Sequence, residues 1–228
     1  DKTEENISIP ATDMEHYAEH PDVIFVCVKG YSLQETIPFI KRIARKNTIV
    51  IPVLNIYGTG GKMQKELPDL LVTDGCIYVS ANIKEPGKLL QHGQILHIVF
   101  GVRDKAEFRP ELKEIQKDLC DSHIDGTLSE NIRREALEKF SYVSPIGAAG
   151  LYYHATAADF QKEGEARELF KTMIKEIKTS GKVLRGCLCI VQPGIKKSKA
   201  IPDRIQEVLA ATAVSYTHLR AHETGAYL

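Results

Sequence analysis

Two polar side chains stand where buried strands of the expected fold would end. Lys29 follows the apolar run 22–28 (DVIFVCV), and Asn55 follows the apolar run 48–53 (TIVIPV). Parallel strands end at one edge of their sheet, and α/β sheets bind ligands outside that edge. This position favours a ligand-binding role for Lys29 over that of an ordinary surface lysine. The amide of Asn55 offers a hydrogen-bond donor and an acceptor, but asparagine is also common in turns, so both interpretations stay open.

A glycine-rich phosphate-binding turn is the next feature to look for, because a doubly wound sheet binds the pyrophosphate of a dinucleotide at its first strand–helix turn. No Gly-x-Gly-x-x-Gly motif follows a strand in this sequence. The nearest segment, 58–62 (GTGGK), has the wrong spacing for that motif and for the P-loop, and we predict a plain turn there. Either the chain is not a nucleotide-binding domain or the first half of one is missing from it.

The cysteines do not indicate a metal site or a disulfide scaffold. There are five, and only Cys187 and Cys189 lie close together, with no second pair to complete a zinc site. We predict no metal and reduced thiols, as is usual in the cytoplasm. The net charge is zero, with 30 basic and 30 acidic residues, so nothing favours nucleic acid or an acidic membrane as a partner.

The elements that must position Lys29 and Asn55 follow from the hydrophobic pattern. The apolar runs 22–28 and 48–53 predict strands that are buried on both faces, and 70–80 predicts a third. A helix follows the first strand, with Ser32 and Glu35 as a capping box and with Ile37, Ile40 and Ile43 on one face. Strands that alternate with helices predict a parallel α/β sheet.

The second half of the chain has a different character. Residues 88–101 predict an antiparallel hairpin that turns near His92 and Gly93, and 110–119 predict a helix. A polar loop then leads to a long helix, a break and a second long helix over 131–178, with a further helix over 201–211. We place a domain boundary near 122–129.

Both ends of the sequence look unnatural. The chain begins at Asp1 without a methionine, and residues 214–224 (VSYTHLRAHET) closely resemble the translation of a sequencing adapter. We therefore treat 214–228 as an artefactual tail. His218, His222 and Glu223 are accordingly excluded as metal ligands despite their suggestive spacing.

Four segments carry a resemblance to a known family: 22–40 (DVIFVCVKGYSLQETIPFI), 48–60 (TIVIPVLNIYGTG), 74–101 (DGCIYVSANIKEPGKLLQHGQILHIVFG) and 137–150 (LEKFSYVSPIGAAG). Their order and spacing resemble the ketopantoate reductases (2-dehydropantoate 2-reductases) across residues 10 to 213. The resemblance implies a partial Rossmann-type, doubly wound parallel sheet over 1–125. It also implies a partial all-α substrate and dimerisation domain over 126–213, like the C-terminal domain of 6-phosphogluconate dehydrogenase.

The resemblance also implies a chemistry and assigns residues to it. The family uses NADPH to reduce ketopantoate to pantoate, a cytoplasmic step of pantothenate biosynthesis, and a homodimer is compatible with it. Lys139 occupies the position of the general acid, which stabilises and protonates the oxygen that becomes negative when hydride reaches the keto carbon. Lys29, Asn55 and Ala81 match cofactor-binding positions, and Asn55, Lys139 and Ser144 are the candidate substrate ligands. Without the resemblance, Lys139 would be taken for a solvated lysine on an amphipathic helix.

The sequence departs from the family pattern in the substrate region. Val143 and Gly147 stand where well-studied members carry asparagines that hold the substrate. Two alternatives therefore stay open: a non-catalytic dinucleotide-binding or redox-sensing protein, and a related 2-hydroxy acid dehydrogenase. The match also implies that the chain is a fragment without the Gly-rich βαβ unit and the C-terminal end. For that reason we expect it to bind NADPH weakly or not at all and to be poorly soluble.

Overall fold

The computed structural model describes residues 6–183 of the 228-residue chain. The predicted helix at 201–211 and the adapter-like tail at 214–228 lie outside the described residues. No helix within residues 6–183 is long and apolar enough to cross a membrane.

The first half of the chain forms the expected parallel sheet. Its strands are β1 (Val23–Val26), β2 (Ile49–Pro52) and β3 (Leu71–Val72), in the order β1-β2-β3. The helices α1 (Leu33–Ile43) and α2 (Thr59–Glu66) connect them. The register is parallel throughout, since Val23 pairs with Ile49 and Ile49 pairs with Leu71. The α/β Rossmann-type prediction is therefore confirmed.

The central strand β2 is buried on both faces, as predicted. Its side chains alternate, so that Val50 packs with α1 and α2, whereas Ile49 and Ile51 pack with Phe100 and Leu112 on the opposite face. All five side chains are fully or almost fully buried, with exposures of 0–2%. By contrast β1, an edge strand, was wrongly predicted to be buried on both faces. Phe25 does not belong to the apolar cluster of Ile49 and Phe100, and it is 38% exposed.

A second sheet follows, and it corrects two predictions. Its strands are β4 (Asp74–Glu85), β5 (Lys88–Gly101) and β6 (Asp125–Leu128), with β4 antiparallel and β6 parallel to β5. The predicted strand at 70–80 breaks at Thr73, where the chain leaves the first sheet for the second. The hairpin turns at Pro86 and Gly87, where Gly87 has a φ of 78°. It does not turn near His92 and Gly93, which lie inside β5.

The misplaced turn has a physical explanation. Gly93 also has a positive φ, 77°, so this glycine does mark an unusual backbone conformation. It marks an irregularity within the hairpin, because Val79 pairs with Leu96 but Ala81 pairs with Gln91. The extra residues of β5 are accommodated there as a bulge, which bends the hairpin without ending the strand.

The helix α3 (Glu111–Asp121) returns the chain to β6, and two long helices complete the described fold. They are α4 (Ile132–Tyr153) and α5 (Glu165–Val183), as the helix–break–helix pattern predicted. They pack through Ala148, Ala149, Phe160 and Met173. Strand β6 lies within the segment that was predicted to be a polar loop. The division into domains at 125/126 stays a prediction.

Candidate active site

The carboxyl ends of β1 and β2 meet at one edge of the parallel sheet. Lys29 lies three residues beyond β1, directly before the 3₁₀ turn Gly30–Ser32, and its side chain is exposed. Asn55 lies three residues beyond β2 and is partly buried. The two loops touch, because a β-carbon on Gly30 would lie 2.4 Å from Cδ1 of Ile56. The structure therefore places both predicted residues at this edge.

The helix α4 lies against the loop that carries Asn55. The ring of Tyr57, two residues after Asn55, is 6.3 Å from the ring of Phe140, measured between centroids. Phe140 is 7% exposed and forms a small apolar cluster with Ile177, Leu137 and Tyr57. Because Phe140 is the neighbour of Lys139, this contact brings the lysine-bearing turn of α4 to the carboxyl edge of the sheet.

Lys139 is buried, with only 8% of its surface exposed. Its Nζ donates a hydrogen bond to the carbonyl oxygen of Ile77 in β4 and lies 4.8 Å from the centre of the Tyr78 ring. A buried ammonium is costly unless polar or π partners replace water, and β4 supplies both. The side chain is thus not the solvated lysine that its amphipathic helix alone would suggest, and it is held at a defined position.

Sequence reasoning missed the residues that surround Lys139. Tyr78 and Cys76 lie on the same face of β4, where each side chain influences the pKa of the other. Burial raises the pKa of the Cys76 thiol, and the nearby ammonium of Lys139 offsets part of that rise. Glu135, one helical turn before Lys139, acts electrostatically on both side chains and accepts a 2.6 Å hydrogen bond from Ser129. The alternation of β4 could have grouped Cys76 with Tyr78, but it could not show which helix covers them.

Two other predicted site residues are not brought to Lys139. Ser144 is 7% exposed on α4 but lies five residues after Lys139, about 140° around the helix. It is aligned with Ala148, which packs in the α4–α5 core, because side chains four residues apart share a face. Ala81 was expected after a strand, yet it lies inside β4, in the exposed outer part of the hairpin. The roles of both in binding stay predictions.

The segment 58–62, predicted as a plain turn, instead begins a helix. Gly58, with a φ of 75°, precedes α2, and Gly60 and Gly61 lie in its first turn. Their backbone N–H groups lie beside the carboxylate of Asp74 at the start of β4 and lower its pKa. This helix N-terminus is therefore occupied by a carboxylate of the chain itself, so it does not act as a phosphate site here.

Asp74 is nearly buried, and its charge is poorly compensated. Burial raises its pKa above the ordinary 3.8, although Arg103 and the N–H groups of Gly60 and Gly61 act in the opposite direction. The Arg103 Nη1 atom is 3.8 Å from Asp74 Oδ1, too far for a hydrogen bond, and it makes none among the described residues. Desolvation therefore outweighs the ion pair.

This imbalance predicts an unusual pH dependence of stability. Above pH 3.8 and up to the raised pKa, the folded state holds a proton at Asp74 that the unfolded state has lost. The contribution of Asp74 to the free energy of unfolding therefore falls as the pH rises through this window. We expect Asp74→Asn to remove that fall, as measured by urea unfolding of the chain at a series of pH values. Parallel pH profiles for the two proteins would contradict the assignment.

Comparison with known proteins relates this chain to a family. Residues 1–105 match the family model of ketopantoate reductase PanE/ApbA. The chain is 20% identical over 166 residues to the 2-dehydropantoate 2-reductase of Aquifex aeolicus. The aligned region covers 73% of this chain and 54% of that enzyme. The chain thus spans about half the length of this curated relative.

Solved structures agree with the fold. The 2-dehydropantoate 2-reductase of Porphyromonas gingivalis W83 superimposes with a TM-score of 0.67 at 20% identity, covering 90% of this chain and 66% of that one. A D-mandelate dehydrogenase in complex with NADH gives a TM-score of 0.65 at 18% identity, covering 85% and 59%. At these identities the likeness concerns the fold. The resemblance to the ketopantoate reductase family is therefore confirmed, with residues 1–105 matching the family's model and the described chain sharing the fold of a solved member.

Proposed function

We propose that the protein containing this chain reduces a 2-keto acid with NADPH, ketopantoate being the leading substrate, and that Lys139 is the proton donor. The observation that carries the proposal is the burial of the Lys139 ammonium on β4, close to the loop that bears Asn55. An enzyme that adds hydride to a ketone has to stabilise the negative charge that develops on the oxygen, and a fixed cation beside it does so. Lys139 meets that requirement, and it carries a proton to transfer.

Each residue has a defined part in this reaction. Lys29 and Asn55 would hold the cofactor at the carboxyl edge, and NADPH bound there would supply the hydride. Lys139 would bind the keto oxygen through one N–H while another stays on the Ile77 carbonyl, and it would then release a proton to that oxygen. The sequence has no Gly-x-Gly-x-x-Gly turn, so the pyrophosphate contacts of the cofactor would have to come from outside this chain.

A second candidate is a related 2-hydroxy acid dehydrogenase for a more apolar substrate. Val143 lies one turn after Lys139 on the same side of α4, and it is partly buried. An apolar side chain there favours an apolar substrate group over a hydroxylated one. A D-mandelate dehydrogenase is among the structural neighbours, which supports the alternative at the level of fold. The cytoplasm and a homodimeric state are proposed from the family resemblance alone.

The test is a substrate panel with the full-length protein from the source gene. Reduced-nicotinamide consumption should be followed with ketopantoate, short aliphatic 2-keto acids and an aromatic 2-keto acid, each with NADPH and with NADH. The proposal predicts the highest kcat/KM for ketopantoate with NADPH. A preference for an aromatic or aliphatic 2-keto acid would support the second candidate. Cofactor binding without turnover of any substrate would overturn both and leave a non-catalytic binding protein.

A further inference from the structure

The surroundings of Lys139 contain one aromatic contact that the proposed reaction does not yet use. The Lys139 Nζ lies 4.8 Å from the centroid of the Tyr78 ring, within the range of a cation–π interaction. Tyr78 is adjacent to Ile77, whose carbonyl oxygen accepts the hydrogen bond from the same Nζ. One short stretch of β4 thus gives the ammonium both a hydrogen-bond acceptor and a π face.

Tyr78 is itself fixed by its neighbours across the second sheet. Its ring stacks on that of His97, its register partner in β5, with centroids 5.5 Å apart and planes inclined by 22°. The Nε2 atom of His97 is 3.1 Å from the hydroxyl of Thr127 in β6. A row of side chains across three strands therefore sets the position of the ring before any substrate arrives.

The ring also stays neutral under all ordinary conditions. Burial, followed by the influence of Cys76, raises the pKa of Tyr78 to about 12. The phenol therefore does not form an ion pair with Lys139, and the attraction comes from the π face. Replacement by phenylalanine would keep this face and lose only the hydroxyl group.

We propose that Tyr78 is a positioning residue, whose ring holds the Lys139 ammonium charged and in place for the reaction proposed above. A lysine has four rotatable bonds, and its ammonium must be confined if it is to meet a keto oxygen within hydrogen-bond distance. The carbonyl of Ile77 restrains one N–H direction, and the ring of Tyr78 closes one side of the space that the ammonium could otherwise explore. The inference rests on the proposed function for its catalytic consequence, but the contact can be tested without it.

The catalytic arm of the test compares Tyr78→Phe and Tyr78→Leu in the full-length protein. We expect Tyr78→Phe to keep kcat within about 2-fold, and Tyr78→Leu to lower kcat roughly 10-fold with little change in the KM for cofactor. The alkaline limb of the kcat–pH profile should move to lower pH in Tyr78→Leu only. A general loss of folded protein would lower the rate of both variants without moving this limb. Equal kcat values and equal pH profiles for leucine and phenylalanine would overturn the proposal.

The second arm needs no activity and uses the chain itself. Trace acetylation of lysines with acetic anhydride, read by mass spectrometry over a pH series, reports how readily each ammonium loses its proton. The pH midpoint for Lys139 should fall in Tyr78→Leu and stay unchanged in Tyr78→Phe, with the exposed Lys171 as internal reference. An unchanged midpoint in Tyr78→Leu would refute the contact. A shifted midpoint in a protein that reduces no 2-keto acid would uphold the contact and refute the proposed function instead.

Discussion

Replacement of Gly60 by alanine is expected to prevent the chain from folding or to destabilise it by at least about 3 kcal/mol. A β-carbon at this position would lie 1.9 Å from the carbonyl oxygen of Thr73 and 2.4 Å from Oδ1 of Asp74. The Thr73 backbone cannot retreat easily, because its N–H is bonded to the carbonyl of Val50 in β2 at 2.9 Å. Helix α2 would have to move away from β4, which would separate the N–H groups of Gly60 and Gly61 from the Asp74 carboxylate.

The neighbouring Gly61 provides a matched control in the same helical turn. A β-carbon there would meet nothing closer than Cδ of Arg103, at 3.9 Å. Because alanine favours the helix over glycine, Gly61→Ala should stabilise the chain by about 0.5–1 kcal/mol. Urea unfolding of the wild type and both variants, followed by circular dichroism, would measure the difference. Similar unfolding midpoints for the two variants would contradict the close packing of α2 on Thr73.

The contrast between these two glycines shows where sequence reasoning reaches its limit. Apolar periodicity predicted β2, α1 and the α4–α5 pair, because each buries a regular face. Nothing in the letters GTGGK distinguishes Gly60 from Gly61, since the difference is the distance to Thr73, which is remote in sequence. The predicted capping role of Ser32 was also wrong, but for a local reason. Ser32 ends a 3₁₀ turn with a φ of −89° and a ψ of 0°, and its hydroxyl makes no cap hydrogen bond.

The residues of the candidate site likewise fall into those that could be placed from the sequence and those that could not. Lys29 and Asn55 could be placed from the sequence, because the ends of consecutive parallel strands must share an edge. The burial of Lys139 could not be predicted from α4, since its hydrogen-bond partner Ile77 lies 62 positions away on β4. Only the family resemblance singled out Lys139. The break at Thr73, which sends β4 into a second sheet beneath α4, is what brings Ile77 and Tyr78 to this lysine.

The role proposed for Lys139 predicts the largest effect on activity. Lys139→Met in the full-length protein removes the ammonium while keeping most of the volume of the side chain. We expect kcat to fall about 100- to 10,000-fold, the usual contribution of a positioned proton donor, with cofactor affinity changed far less. A large fall in kcat with an almost constant cofactor Kd would mean that the ammonium acts mainly in the transition state. Stopped-flow turnover and fluorescence titration of NADPH would measure the two quantities separately.

Two further variants separate chemistry from folding. Lys139→Arg keeps a positive charge but not the compact ammonium or its readiness to release a proton, so turnover should remain low. Lys171→Ala removes an exposed lysine of α5 that pairs with Glu168, and it should leave turnover unchanged. The unfolding free energy of Lys139→Met should drop by only about 1–3 kcal/mol, the cost of leaving the Ile77 carbonyl without its donor. If Lys139→Met instead kept near-normal turnover, the buried ammonium would be a structural element of the α4–β4 contact, and the proton would have to come from another group.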